Sequence, residues 1–298
     1  MVSDLLAILR VRETSRQVFT GESLVDGVRR IYGGQLLAQS IMAMGQTVRE
    51  SHRLHSMQGY FVHPGDVTKR IRFDVQPVRD GRSFSTRRVT VTQEERVVFI
   101  GAASFQAAEG DHARLSPMPD VPPPERMPAE ADFFAREAHL LEHRRSHVST
   151  IMRLFERRSE MWRPWLDPGA MAPVNGLWCR LREPCGDDPL LCHAVLAYAC
   201  DLDLMTTAMR PRGHGTMDGR TRSASLDHAM WFHAPARPDA WFYYDMSGPS
   251  ATNNRGLGMG ALYQDGRRIG TAMQEGLMRV IDDEIPRDPA AQTMNQPQ

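Results

Sequence analysis

Met230-Trp231-Phe232-His233-Ala234-Pro235 repeats, in outline, an earlier stretch, Tyr60-Phe61-Val62-His63-Pro64. Each stretch follows an apolar, helix-like segment. Each precedes strand-like segments that end in similar strings: Gly101-Ala102-Ala103-Ser104-Phe105-Gln106 first, then Gly270-Thr271-Ala272-Met273-Gln274-Glu275. His63 and Gly101 are 38 positions apart, His233 and Gly270 37. Two motifs in the same order, at nearly the same spacing, read as one structural unit used twice.

The segments around these motifs are readable by period. Leu37, Ile41, Met44 and Val48 recur on one helix face after Gly33-Gly34-Gln35. Leu191, Val195, Tyr198, Leu202 and Met205 do the same in the second unit. There almost every intervening residue is apolar too, which predicts one long helix buried nearly all round. The strand-like segments are β-branched and aromatic, with Asp80-Gly81 and Asp265-Gly266 as hairpin signals. Further strand-like segments precede the helices, at Ser15–Leu24, Ile151–Arg158 and Leu177–Arg182. An antiparallel sheet wrapped around a central helix is the simplest way to bury such a helix, so each unit is predicted to be α+β.

Between the units the chain is rich in proline and charge, including Pro122-Pro123-Pro124, which favours extended backbone. A short helix is predicted around Glu130 to Arg145, with Phe134 and Leu141 on one side. The division that follows is a first half at 1–108, a linker at 109–149, a second half at 150–283 and a polar tail at 284–298.

The formal net charge is zero, which gives no wholesale attraction to nucleic acid or anionic membranes. Lys69 is the single lysine, and no arginine-specific function is read from that bias. Cys179, Cys185, Cys192 and Cys200 contain no CxxC pair, so free thiols in a reducing compartment are predicted in preference to a zinc site. Met1 to Arg10 lacks the apolar run of a signal peptide, and no stretch approaches the ~20 apolar residues of a bilayer span. The final residues carry no retention or peroxisomal address. These features predict a cytoplasmic protein with no membrane or nucleic-acid partner.

No GxSxG elbow, HExxH helix or Walker A loop occurs. Gly256-Leu257-Gly258-Met259-Gly260 precedes strand-like residues rather than a helix, so it is not read as a dinucleotide fingerprint. What remains are polar residues where apolar ones are expected. Asp201 and Asp203 interrupt the second apolar helix, where an ionised carboxylate is costly unless paired. Either reads as a solvent-facing residue, as the partner of an arginine, or as a functional acid. Ser225 begins the strand running to His233 and reads as a strand-edge hydroxyl or a functional one. Gln274 reads as a bonded core amide or a functional amide. His228 and His233 are tempting as catalytic bases, but the recurrence of His233 as His63 points to a turn-forming role.

Several strings together carry a resemblance. They are Ala197-Tyr198-Ala199-Cys200-Asp201, Ser225-Leu226-Asp227-His228-Ala229-Met230-Trp231-Phe232-His233 and Gln274-Glu275-Gly276 in the second half. Tyr32-Gly33-Gly34-Gln35 and Tyr60-Phe61-Val62-His63-Pro64-Gly65-Asp66 are those of the first. The chain resembles the acyl-CoA thioesterase II family, the double-hotdog thioesterases of bacteria and peroxisomes, over nearly its whole length apart from the linker. The resemblance implies two tandem hotdog halves, hydrolysis of acyl-CoA to free fatty acid and CoA in lipid metabolism, and a homo-oligomer, tetramer or dimer. It also implies a water held by an Asp, a Ser or Thr, and a Gln, which fall on Asp201, Ser225 and Gln274. It thereby selects Asp201 over Asp203. No metal or redox cofactor is implied by the resemblance.

That set suits the chemistry. A thiol has a pKa near ~8.5, so the thiolate leaves without a strong general acid. A carboxylate base, with an amide and a hydroxyl to orient the water, supplies the rest. One centre per chain is expected, because the first helix offers Gln39 and Gln46 but no acid, with Gln106 the counterpart of Gln274. An apolar tunnel beside the second helix is expected for the acyl chain. The CoA phosphates are expected on surface arginines, such as Arg255 or those near Arg87. Two other functions remain in view. Another hotdog reaction such as hydration usually relies on an Asp/His pair, for which no motif stands out. A non-catalytic acyl-CoA binder or sensor has no need of the polar set.

Overall fold

The computed structural model describes residues 5–25, 28–110, 114–136, 150–151, 153–160, 170–213 and 220–281. The first half begins with α1 (Leu5–Leu9), β1 (Arg12–Ser15) and β2 (Val18–Gly21). Helix α2 (Gly33–Gly45) follows, then β3 (His52–Phe61), β4 (Ile71–Asp80), β5 (Phe84–Gln93) and β6 (Arg96–Ala107). After α3 (Glu130–Arg136) the second half runs through β7 (Phe155–Arg158) and β8 (Val174–Leu181) to α4 (Pro189–Cys200) and α5 (Leu204–Met209). It ends with β9 (Thr221–Ser225), β10 (Asp227–Phe232), β11 (Phe242–Thr252), β12 (Arg255–Gln264) and β13 (Arg267–Val280).

All the described strands join one antiparallel sheet. Its order is β1-β2-β4-β5-β6-β3 in the first half, continuing β10-β13-β12-β11-β8-β7 in the second, with β9 also beside β13. The second order is the first reversed, as an internal repeat requires. The seam is β3 against β10, where Asp227 faces Tyr60 and Trp231 faces Ser56. Helices α2 and α4 are buried and pack against each other. They run antiparallel: Gly34 at the start of α2 lies against Tyr198, and Gly45 at its end against Leu190. This is the expected pair of tandem hotdogs. Each fully buried Leu or Val on these helices contributes about 1.5–3 kcal/mol.

The register of the sheet corrects one reading of the repeat. Two-residue turns close the matched hairpins at Glu94-Glu95 and Asp265-Gly266, all with φ between 46° and 74°. Across the next ladder Phe61 faces Phe99, and Phe232 faces Gly270. Val62 and His63 both donate to Val98 O, whereas His233 and Ala234 both donate to Ile269 O. His233 therefore corresponds to Val62, not to His63, and Gly270 to Phe99, not to Gly101; offsets of one and of two residues account for the spacings of 38 and 37. Both histidines lie just past a strand end: His63 Nδ1 lies 2.7 Å from Val97 O and His233 Nε2 2.8 Å from Thr271 Oγ1.

The predicted long second helix is broken. Helix α4 stops at Cys200, residues 201–203 form a turn, and α5 restarts at Leu204. Taken together, Pro189–Arg212 spans 24 residues with mean hydropathy 1.3 in its most apolar window. By length and composition it could cross a bilayer, contrary to the sequence reading, but 89% of that window is buried inside the fold. The restart lets α5 lie directly on β11, β12 and β13. Alternate residues of Gly256-Leu257-Gly258-Met259-Gly260 face inward. A Cβ on Gly258 would stand 2.6 Å from Leu204 O. Gly256 and Gly258 serve helix-on-sheet contact, which needs bare backbone, while Gly260 leaves room for the Tyr244 ring.

The described part of the linker is strapped along the second half. Pro117 bridges Arg267, Met118 N donates to Gly266 O, and Trp178 Nε1 donates to Pro122 O at 2.9 Å. Helix α3 realises the start of the predicted Glu130–Arg145 helix. The remainder of that helix and the tail at 284–298 lie outside the described residues.

Candidate active site

The break between α4 and α5 creates the site. Asp201 is the C-cap of α4, so its side chain leaves the apolar helix where the backbone turns. It is buried, and so is Asp203, the N-cap of α5. The two carboxylates have different partners. Asp203 Oδ2 lies 2.7 Å from Arg157 Nη2, and Arg157 Nε lies 2.9 Å from Glu130 Oε2, forming a buried acid–arginine–acid triad. Burial raises the Glu130 pKa to about 6, against the lowering effect of Arg157. The arginine-partner reading thus holds for Asp203. Asp201 is turned the other way, toward the sheet.

There it meets Gln274, on the inward face of β13 and fully buried. Gln274 Nε2 donates to Asp201 Oδ1 and, at 2.9 Å, to Ser225 Oγ. An ionised carboxylate can only accept, which fixes the amide with its nitrogen toward Asp201. Both Nε2 protons are then used, so Ser225 keeps its own O–H as a donor. Gln274 Oε1 is buried without a hydrogen-bond partner. Asp201, Ser225 and Gln274 are therefore brought together.

Ser225 reaches this cluster through a register shift. Ser225 pairs with Gly276, whereas Ala229 pairs with Met273, so one extra residue is accommodated between β9 and β10. In a regular strand Ser225 and His228, three apart, would face opposite sides. The bulge turns both inward, as bulges near functional sites commonly do. Asp227 stabilises it, accepting from Glu275 N at 2.8 Å.

Three further residues belong to the site. Gly33 opens α2, and a Cβ there would lie 2.7 Å from Asp201 Oδ2 and 3.0 Å from Phe61. Tyr32, the N-cap of α2, makes no side-chain cap; its hydroxyl donates to Tyr198 O at 2.8 Å. Burial, and secondly the Asp201 charge, raise the Tyr32 pKa well above its ordinary value. The first N–H groups of α2 have no acceptor within the helix, and its positive end faces the Asp201 carboxylate. His228 is buried, with Nδ1 3.7 Å from Asp201 Oδ1. No sequence motif marks an Asp/His pair here; the bulge brings the two together. The glycine pair at a helix start was the legible hint for the α2 contribution.

Among the described residues the first half lacks an equivalent set. Gln274 lies eight positions beyond its hairpin turn, and so, in the first half, does Ala103. Gln106 is thus not the counterpart of Gln274; it faces Arg53 and Phe84. By the same register His228 corresponds to Met57. Gln39 and Gln46 bond backbone oxygens of Ile8, Glu22, Val11 and Met42. Arg87 is buried and holds Asp80 at 2.7 Å, and Arg255 is paired with Glu275 at 3.0 Å. Among the described residues no group of three or more His, Cys, Asp or Glu is placed to hold a metal.

Comparison with known proteins identifies the family. The second half, residues 147–277, matches the acyl-CoA thioesterase family model, and residues 24–106 match the acyl-CoA thioesterase N-terminal domain. The chain is 30% identical to acyl-CoA thioesterase 2 of Haemophilus influenzae, over 94% of this chain and 98% of that one. It is 32% identical to human acyl-coenzyme A thioesterase 8, over 92% of this chain and 88% of that one. The crystal structure of the acyl-CoA thioesterase II TesB2 from Mycobacterium marinum superposes with a TM-score of 0.75 at 33% identity, covering 93% of this chain and 98% of that one. With its palindromic sheet, its paired central helices and these relatives, the chain belongs to the acyl-CoA thioesterase II family.

Proposed function

We propose that Asp201, Ser225 and Gln274 hold and activate the water with which this acyl-CoA thioesterase cleaves its thioester. The observation that carries the reading is the Gln274 amide, which ties the Asp201 carboxylate to the Ser225 hydroxyl. A water donating to Asp201 keeps a lone pair for the carbonyl carbon. As the water attacks, Asp201 takes its proton. The carbonyl oxygen gains negative charge, and the N-terminus of α2 beside Asp201 offers N–H donors and a positive dipole end for it. The C–S bond then breaks, and the thiolate takes up a proton to give CoA and the free acid, a reaction of lipid metabolism. The acyl chain is proposed to lie beside α5, where Met205, Met209 and Met278 offer an adaptable apolar wall. Asp201→Asn should fold and release thiol from decanoyl-CoA ~10²–10⁴-fold more slowly, the range for loss of a general base. A rate near wild type would remove Asp201 from that role.

A homo-oligomer, tetramer or dimer, is also proposed. Tyr60 and Ile100 face each other across β3 and β6, both exposed, with exposed Val62 close by. Such an apolar face at the middle of a sheet favours a second copy. Light scattering giving 33.6 kDa, the mass of one chain, would overturn this. Residence in the cytoplasm is supported by the cysteines, all four of them buried free thiols.

A further inference from the structure

His228 has a cost that packing does not explain. Its side chain is 1% exposed, and neither ring nitrogen has a hydrogen-bond partner. An unsatisfied buried polar group costs about 1–3 kcal/mol. The first half is an internal control. Its residue at the same register is Met57, also buried, and the fold there is satisfied by a thioether. Where Met57 stands in place of His228, Ala103 stands in place of Gln274, and no acid ends the helix. The imidazole therefore accompanies the polar set.

The two oxygens of Asp201 are differently placed. Oδ1 faces Gln274 Nε2 and lies 3.7 Å from His228 Nδ1. Oδ2 faces Gly33 at the start of α2. We propose that His228 is a positioning residue: its Nδ1–H donates to Asp201 Oδ1, leaving Oδ2 as the oxygen that takes the proton from water. A shift of ~1 Å brings Nδ1 within ordinary bonding distance. Two donors on Oδ1 fix the carboxylate plane, and Oδ2 keeps its lone pairs for the reacting water. The first half, with no carboxylate to orient, uses methionine at this place. This inference rests on the reading of Asp201 as the base.

The test compares Asp201→Asn, His228→Met, which installs the first half's residue, and His228→Asn, whose amide N–H can occupy the Nδ1 position. His228→Met is expected to lower kcat for decanoyl-CoA hydrolysis ~10–10²-fold, the scale of a misplaced catalytic group. KM should stay within about threefold, since no uniform binding contact is lost. His228→Asn should recover most of the loss. In the Asp201→Asn background His228→Met should cost little more, because the two act as one unit. A folded His228→Met enzyme with wild-type kcat overturns the proposal. Full activity in Asp201→Asn alone overturns instead the reading on which it rests. ¹⁵N spectra of histidine-labelled wild-type protein decide independently of any variant's folding: a His228 ring carrying its proton only on Nε2 also overturns it.

Discussion

Arg157 Nη2 holds Asp203 Oδ2 at 2.7 Å, two residues from the carboxylate that faces the site. That contact separates two acids that the helical pattern leaves equivalent. It also ties the linker helix, through Glu130, to the break that presents Asp201. Arg157→Ala is expected to lower unfolding free energy by about 3–5 kcal/mol, since it leaves two buried carboxylates without their cation. Urea denaturation measures this; a loss below 1 kcal/mol would mean the triad contributes little.

Gly33→Ala is expected to reduce turnover without unfolding the chain. The added methyl would stand 2.7 Å from Asp201 Oδ2 and 3.0 Å from Phe61, so the carboxylate must move. A displacement near 1 Å at a reacting group can cost ~10²-fold. Wild-type kcat in this variant would show that α2 does not touch the working position of Asp201.

Two glycines under α5 should respond unequally to alanine. At Gly258 the methyl meets the Leu204 backbone oxygen at 2.6 Å, and neither strand nor helix can yield cheaply. A loss of about 1–3 kcal/mol is expected from such overpacking. At Gly256 the methyl meets first the flexible end of Met278, which can swing aside. Equal thermal shifts for the two variants would contradict this account.

Acid should destabilise the protein through His193. Burial lowers its pKa from 6.5 to about 4, and its ring stacks on Phe232 at 4.4 Å. The folded state prefers the neutral ring. Its contribution is therefore full above pH 6.5 and lost as pH falls toward 4, about 3 kcal/mol in all. Glu130, raised from 4.5 to about 6, acts in the opposite sense, its contribution being lost as pH rises through 6. Unfolding free energies of His193→Gln and Glu130→Gln across pH 4–7 should each remove one slope. Parallel curves for wild type and either variant would rule out that group.

One active centre per chain is expected, because Met57 and Ala103 stand where the second half has His228 and Gln274. Calorimetric titration with a tight non-hydrolysable analogue should saturate at one equivalent per chain. Two equivalent sites would overturn this.

The internal repeat, the two buried helices and the hairpin at Asp265-Gly266 were legible because they rest on local chemistry: apolar period, β-propensity and turn residues. Asp201 and Gln274 stood out as polar residues where apolar ones are expected, but only the family resemblance of their strings grouped them, with Ser225, as one candidate set. The sequence showed no reason to prefer Asp201 over Asp203, and the His63/His233 match suggested an equivalence one residue out of register.

The amino-acid sequence by itself determined that two like halves, each with an apolar helix and a meander, would bury one helix apiece. Only the tertiary structure decided where the second helix breaks, which acid meets Arg157, and how a single-residue bulge turns Ser225 and His228 to the same side. The reason is physical. Periodicity is a property of neighbours along the chain. The break at Asp201, the bulge at Leu226 and the approach of Gly33 to Asp201 are contacts between elements far apart in sequence, fixed only when the sheet closes on its helices.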